Sequence, residues 1–183
     1  MKCQAKARAY KSELFAVLIH ANGEQENLGN MASRKPWYLR LWEAVHFDQR
    51  GLVTLGALNA IATDLVSGTV VGLYKFHDSG TGTTTPAQTD TTLQTQAGPT
   101  TRATGVNTQT QSASGTGSTT PAIVTSVGTI AYVSSLAITE WGLFNQAAQG
   151  GTMWDHRTFS AINVVSGDSI QFTYSLSIPG GGT

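Results

Sequence analysis

Hydrophobic and polar residues alternate most regularly near the end of the chain, between Ser169 and Ile178. The apolar positions of this stretch are Ile170, Phe172, Tyr174, Leu176 and Ile178. A period of two places all five side chains on one face of a β-strand. Gly167 and Asp168 lie directly before the strand and are predicted to form the turn that leads into it.

Three more strands are predicted over residues 123–133, 137–144 and 153–165, where short apolar stretches are separated by turn-forming residues. Closely spaced strands without helices between them are typical of antiparallel packing. The pattern therefore predicts a mainly β fold, an antiparallel β-sandwich or jelly-roll.

One helix is predicted, over residues 52–66. Thr54 can cap its first turn, and helical spacing places four apolar residues on one face: Leu55, Leu58, Ala62 and Leu65. The apolar residues 70–76 that follow predict a strand.

Residues 79–121 are unusually rich in threonine, with 16 Thr among 43 residues and only Asp90 and Arg102 charged. A flexible linker is one interpretation. Ordered β structure is favoured instead, because threonine is β-branched and forms strands readily. Such strands bury little apolar area, so neighbouring elements or other subunits would have to cover them.

Charge divides the chain near Gly51. Residues 1–50 hold eight basic and five acidic side chains, and residues 51–183 hold three basic and six acidic ones. We expect residues 1–50 to be a charged, aromatic N-terminal arm or docking segment, and residues 51–183 to be the β-sandwich domain. Within the arm, residues 14–19 read as a strand, and residues 36–47 read as a short helix or an extended aromatic arm.

The arm also contains the mixture of aromatic and basic residues that is common at protein interfaces. The predicted subunit-contact residues are Arg34, Lys35, Trp37, Tyr38, Arg40 and Trp42. A hydrophobic cluster packed on the same chain fits these aromatic residues equally well. Trp141 and Trp154 lie on predicted strands and are expected in the core or at a subunit contact.

Composition excludes several classes of partner and site. The net charge is zero and only 12% of residues are charged, which argues against nucleic acid or an acidic membrane as a partner. The single Cys3 leaves no cysteine pair for a disulfide or a structural zinc site. The apolar run at 14–19 is too short for a signal peptide or a membrane span. We expect no metal and no cofactor.

Candidate catalytic residues are few. Asp155 and His156 are adjacent, but neighbours in a strand point to opposite faces, so a surface or interface polar pair is favoured over a dyad. Glu140 and Asp155 form a possible carboxylate pair, for which Arg157 is an available partner. Gly80 and Gly82 are interpreted as loop glycines, because the Gly-Lys-Ser/Thr of a phosphate-binding loop does not follow.

Several phrases together resemble the carboxy-terminal region of small virion structural proteins of tailed bacteriophages. They are Ala137-Ile138-Thr139-Glu140-Trp141-Gly142-Leu143-Phe144-Asn145, Gly151-Thr152-Met153, Phe159-Ser160-Ala161-Ile162-Asn163-Val164 and Ser166-Gly167-Asp168-Ser169-Ile170. The stretches beginning at His77 and Asp90 resemble the same group, so the resemblance covers roughly residues 50–178. A related Glu-x-Gly-Leu phrase occurs in tail-fibre proteins.

The resemblance implies a non-enzymatic virion protein that is assembled in the host cytoplasm. A capsid decoration or cement subunit is favoured, a tail, neck or fibre-base component is the alternative, and a glycan hydrolase has little support. The expected partners are the major capsid protein or tail and neck proteins, together with further copies in a homodimer or homotrimer. Glu140 and Arg157 are then expected at turns or in ion pairs, and Gly142 where the chain passes close to a neighbour.

Overall fold

The computed structural model of the protein describes residues 11–31, 52–67, 73–99, 101–110 and 121–178. These residues form ten strands and one helix. In chain order they are β1 (Lys11–Ile19), β2 (Gln25–Asn30), β3 (Leu52–Val53), α1 (Leu55–Ser67), β4 (Phe76–Gly80), β5 (Ala103–Thr104), β6 (Val106–Thr110), β7 (Ala122–Ala131), β8 (Leu136–Phe144), β9 (Met153–Val164) and β10 (Ser169–Ile178).

The strands form two five-stranded sheets. Sheet A has the order β2-β1-β10-β7-β6, and sheet B has the order β3-β9-β8-β4-β5. Every pairing between neighbours is antiparallel. One hydrophobic core contains side chains from both sheets. The predicted fold class, a mainly β sandwich with one short helix, is confirmed.

The alternation predicted for β10 supplies the centre of this core. Ile170, Phe172, Tyr174 and Leu176 are buried, whereas Ile178 at the end of the strand is 40% exposed. Each fully buried side chain of this size contributes about 1.5–3 kcal/mol. β10 pairs with β1 on one side and β7 on the other, so it lies in the middle of sheet A.

The boundary predicted near Gly51 does not coincide with the start of the sandwich. β1 pairs with β10 along its whole length, and Leu14, Ala16 and Leu18 are buried in the core. Residues 11–31 therefore belong to the sandwich, because alternate positions of β1 complete the inner face of sheet A. The predicted helix or extended arm at 36–47 and all six predicted contact residues lie outside the described residues.

A helix was predicted over residues 52–66. Helix α1 begins at Leu55 and ends at Ser67, and Leu52 and Val53 instead form β3. Thr54 caps the helix, accepting the N–H of Ala57 at 3.2 Å. Ala57 and Ala60 are buried, whereas Leu55, one of the four apolar residues predicted on one face, is 45% exposed. Small residues let the helix approach the β9 end closely, and a Cβ on Gly56 would lie 2.5 Å from Thr152 Cγ2.

The described residues of the threonine-rich region are largely irregular backbone, and residues 81–99 are held against sheet B. Of the strand predicted over 70–76, residues 70–72 lie outside the described residues, residues 73–75 are not in a strand, and β4 begins at Phe76. Residues 81–99 contain none of the ten strands, and the two strands that follow, β5 and β6, are short. β5 belongs to sheet B and β6 to sheet A, so the chain changes sheets at the single residue Gly105.

Candidate functional site

Charged residues are scarce after Gly51, and most of them are buried. The sequence has nine such residues there. Six of them are buried: Asp78, Arg102, Glu140, Asp155, Arg157 and Asp168. A buried charge is costly unless it is paired and hydrogen-bonded. These groups and their partners are therefore the candidate site of the molecule.

Glu140, on β8, is the acceptor at the centre of the first cluster. Its carboxylate accepts backbone N–H groups from Gly82 at 2.9 Å, Thr95 at 2.8 Å and Gln94 at 3.0 Å. Burial favours the protonated form, but the hydrogen bonds from His156 and from these amides outweigh burial and lower the pKa of Glu140. The carboxylate thus ties Gly82, Gln94 and Thr95 of the 81–99 segment to sheet B.

His156, on β9, links Glu140 to this segment a second time. Its Nε2 lies 3.1 Å from Glu140 Oε2 and its Nδ1 lies 2.7 Å from Asp90 Oδ2. Two carboxylate partners require both ring nitrogens to donate, which is the imidazolium form. Burial lowers the pKa of His156, but the hydrogen bonds to Glu140 and Asp90 outweigh burial and raise it.

Arg102 and Asp78 form a second buried pair. Arg102 Nε donates to Asp78 Oδ2 at 3.2 Å, and the guanidinium carbon lies 3.5 Å from the centre of the Phe144 ring. Arg102 Nη1 also donates to the carbonyls of Gln146, Ala148 and Gly150 at 2.8–3.1 Å. The pair therefore fixes the loop between β8 and β9.

A third cluster lies between the two sheets. Arg157 Nε donates to Asp155 Oδ1 at 2.8 Å, and Arg157 Nη2 donates to Ser12 Oγ at 2.8 Å. Ser12 Oγ donates in turn to Asp155 Oδ2 at 3.0 Å. Because Ser12 belongs to β1 and the other two residues to β9, this cluster connects sheet A to sheet B.

Asp168 holds two turns together at one end of the sandwich. Its carboxylate accepts the N–H of Val165 at 2.9 Å and the N–H of Ala21 at 3.1 Å, and His20 Nδ1 lies 3.5 Å away. The hydrogen bond from the Val165 backbone lowers the pKa of Asp168. Gly167 beside it has a φ of +93°, a conformation that favours glycine.

His77, on β4, is a buried neutral base between the sheets. Its Nδ1 accepts the indole N–H of Trp141 at 3.3 Å, so Nε2 carries the proton and donates to Ser126 Oγ at 3.0 Å. The ring fits because Gly128 has no Cβ, which would lie 2.5 Å from His77 Cδ2. Burial lowers the pKa of His77 to about 3.

Acid is therefore expected to destabilise the protein through His77. The unfolded state takes up a proton below its ordinary pKa of 6.5, but the folded state does not until about pH 3. The stabilisation from neutral His77 is complete above pH 6.5 and falls by about 1.4 kcal/mol for each pH unit below it.

In His77→Gln, the side-chain amide supplies one donor and one acceptor in place of the two ring nitrogens, and it does not titrate. We expect the wild type to lose about 2 kcal/mol more than this variant between pH 6.5 and pH 5. Denaturant unfolding at both pH values measures the difference, and comparing the two proteins cancels the groups that they share. If both proteins lose the same free energy of unfolding between these two pH values, His77 is not the cause of the acid destabilisation.

The first two clusters hold backbone groups of the chain itself, and the third joins side chains of β1 and β9. Glu140 points to the side of sheet B that the 81–99 segment covers, whereas Asp155 points between the sheets, so they do not form the carboxylate pair that the sequence allowed. Among the described residues, every buried side-chain nitrogen and oxygen has a hydrogen-bond partner. No group of three or more His, Cys, Asp or Glu in these residues is placed to hold a metal.

No protein-family model matches the chain, and comparison with curated proteins and with solved structures gives no match either. No helix in the described ranges has both the length and the hydropathy needed to cross a membrane.

The structure changes the interpretation of several predicted residues. Asp155 and His156 point to opposite sides, as strand geometry requires, but both are fully buried, so a surface pair was wrong. Arg157 pairs with Asp155, whereas Glu140 pairs with His156. At Gly142, a Cβ would lie 2.9 Å from the Phe144 ring and 3.1 Å from Leu93, so the close neighbour is the same chain. Trp141 and Trp154 lie in the core.

Sequence reasoning missed the partners that complete these clusters, namely Ser12, His77, Asp78, Asp90 and Arg102. One signal was available for Asp78, Asp90 and Arg102, because charged residues are so rare after Gly51 that each one needs a counter-charge if it is buried. A second signal was Gly80 and Gly82. A Cβ on either would lie within 2.6 Å of Glu140 Oε1, so these glycines make room for the carboxylate.

Proposed function

We propose that the chain is a non-enzymatic structural protein of a tailed-bacteriophage virion, a capsid decoration or cement subunit that stabilises the head. The observation that carries the proposal is the resemblance over residues 137–170, whose Glu140, Gly142 and Asp168 each hold a loop or a close contact of the sandwich. Residues that hold loops rigid suit a protein whose role is to make contacts with neighbouring subunits.

The distribution of charge supports the same role. The buried charges are used inside the protein, and the outward positions of β10 carry only neutral side chains: Ser169, Gln171, Thr173, Ser175 and Ser177. Subunits of a shell must fit many neighbours without large desolvation costs, and neutral side chains keep that cost low.

A tail, neck or fibre-base component is the second candidate. The phrase Glu140-Trp141-Gly142-Leu143 favours it, because a similar phrase occurs in tail-fibre proteins. In either position the partners would be other virion proteins, and the six aromatic and basic residues between 34 and 42 would supply docking contacts. Further copies of the chain would complete a homodimer or homotrimer.

Copy number in purified particles distinguishes the candidates. We expect quantitative mass spectrometry of the virion that encodes this chain to find on the order of hundreds of copies, because a decoration subunit repeats over the closed capsid lattice. A dozen copies or fewer would place the protein in the tail or neck. Complete absence from purified particles would refute both structural roles.

A further inference from the structure

The four outer strands of the two sheets are protected to very different degrees. In sheet B both edge strands, β3 and β5, have only two residues. In sheet A, β2 carries the exposed Glu26 and is irregular, with a register shift against β1 and a φ of +70° at Gly29. Short length, charge and irregularity are the usual protections of an edge strand against pairing with another chain.

β6, the other edge of sheet A, has none of these protections. It runs for five residues in regular register with β7, from Val106 to Thr110. All five side chains are exposed, and Val106 is 68% exposed. The sequence Val-Asn-Thr-Gln-Thr contains no charge, proline or glycine. Within the described part of the chain, no strand pairs with its outer edge.

We propose that β6 pairs with β6 of a second copy of this chain across a twofold axis, joining two A sheets into one ten-stranded sheet. The inference specifies the surface of the homo-oligomer proposed above and does not depend on where in a virion the protein sits.

The sequence of β6 is complementary to itself in antiparallel pairing. With Thr108 on the axis, Thr108 faces its own copy, Val106 faces Thr110, and Asn107 faces Gln109. Asn107 Nδ2 donates one hydrogen bond to the Tyr74 carbonyl of its own chain at 3.3 Å, and its second N–H and its oxygen can pair with the Gln109 amide. Opposed β-branched residues pack well on one face. No charges oppose each other. A strand of another sequence would place compatible side chains opposite these five residues only by chance. A second copy of this chain is therefore the favoured partner.

The outward face of sheet A is continuous with this edge. Val106 lies opposite Val127 of β7, Val127 opposite Thr173 of β10, and Thr173 opposite Phe15 of β1. This row is uncharged across four strands. In the second copy Val106 faces Thr110, and the row continues through Ile123 and Ser177 to Lys11, so it stays uncharged over seven strands of the joined sheet.

Cysteine cross-linking tests the register. In a Cys3→Ser background, Thr108→Cys places two sulfur-bearing residues opposite each other with Cα atoms about 4.5–5.5 Å apart, within disulfide range. Val106→Cys separates the same two residues by about 14 Å along the strand. We expect mild oxidation to cross-link Thr108→Cys and to leave Val106→Cys and the β7 control Thr129→Cys as single chains.

Sedimentation over a concentration series tests the contact itself. Thr108→Lys brings two like charges together on the axis and should lower the association constant at least about fivefold. Thr129→Lys makes the same change of charge at an exposed position of β7 and should associate like the wild type. A wild type that stays monomeric up to high micromolar concentration overturns the proposal. An oligomer that persists while Thr108→Cys fails to cross-link overturns β6 as its surface but leaves the oligomer.

Discussion

Glu140→Ala is expected to lower the free energy of unfolding by about 4 kcal/mol, because it leaves a buried charge and several buried donors without their acceptor. His156 keeps only Asp90 as a partner, and the backbone N–H groups of Gly82, Gln94 and Thr95 lose theirs. In a chain of this size the midpoint of thermal unfolding should fall by roughly 10 °C. Denaturant unfolding near pH 6 measures the change.

Two further variants show whether the effect comes from the hydrogen bonds that Glu140 accepts. Glu140→Gln keeps the shape and one acceptor oxygen, and should lose less than the alanine variant. Glu26→Ala removes an exposed glutamate of β2 and should change stability by less than about 0.5 kcal/mol.

Amide hydrogen exchange locates the damage. In Glu140→Ala, exchange at Gly82, Gln94 and Thr95 should accelerate more than at the central strand β10. A variant that keeps these amides protected would contradict the role assigned to Glu140.

The stability contributed by the Glu140–His156 pair is expected to peak between pH 4.5 and 6.5. The pKa of Glu140 is lowered from 4.5, so its contribution is present above that value and is lost as pH falls through the folded pKa. The pKa of His156 is raised from 6.5, so its contribution is present below that value and is lost as pH rises through the folded pKa. The cost of Glu140→Ala should therefore be smaller at pH 9 than at pH 6.

Asp155→Ala is expected to cost about 3–5 kcal/mol, because the buried guanidinium of Arg157 then keeps only Ser12 as a side-chain partner in its cluster. The cluster joins β1 to β9, so its loss weakens the contact between the sheets. Chemical denaturation measures the loss, and Ser12→Ala, which removes a neutral partner, should cost only about 1 kcal/mol.

The double variant Asp155→Leu with Arg157→Met keeps this prediction testable if the single variants do not fold. Apolar residues of similar volume need no counter-charge, so the double variant should be more stable than either Asp155→Ala or Arg157→Ala. Additive losses would show that the two residues do not act as a pair, because interacting neighbours are expected to depart from additivity.

The sequence alone determined five of the strands, β1, β7, β8, β9 and β10, and the inward face of β10. The period of two at Ile170, Phe172, Tyr174 and Leu176 is set by the pleat of a strand, and burial of that face follows from the hydrophobic effect. Thr54 before an apolar helical stretch likewise predicted a capped helix at α1. These features depend on residues close together in sequence, so local pattern was sufficient.

Only the tertiary structure decided how distant residues meet. Leu14, Ala16 and Leu18 were assigned to an arm because the residues around them are charged. Their pairing with β10 has no local signal in the sequence. The partners Ser12 and Asp155 are 143 residues apart in sequence.

The same holds for the charge clusters, because an ion pair leaves no local pattern in sequence. Asp78 and Arg102, or Glu140 and His156, are recognised as partners only when the sheet order brings β4, β8 and β9 together. Burying the few charges after Gly51 without counter-charges would be too costly, but only the structure showed that they are buried. Which charge meets which was decided by strand register and by the path of the loops.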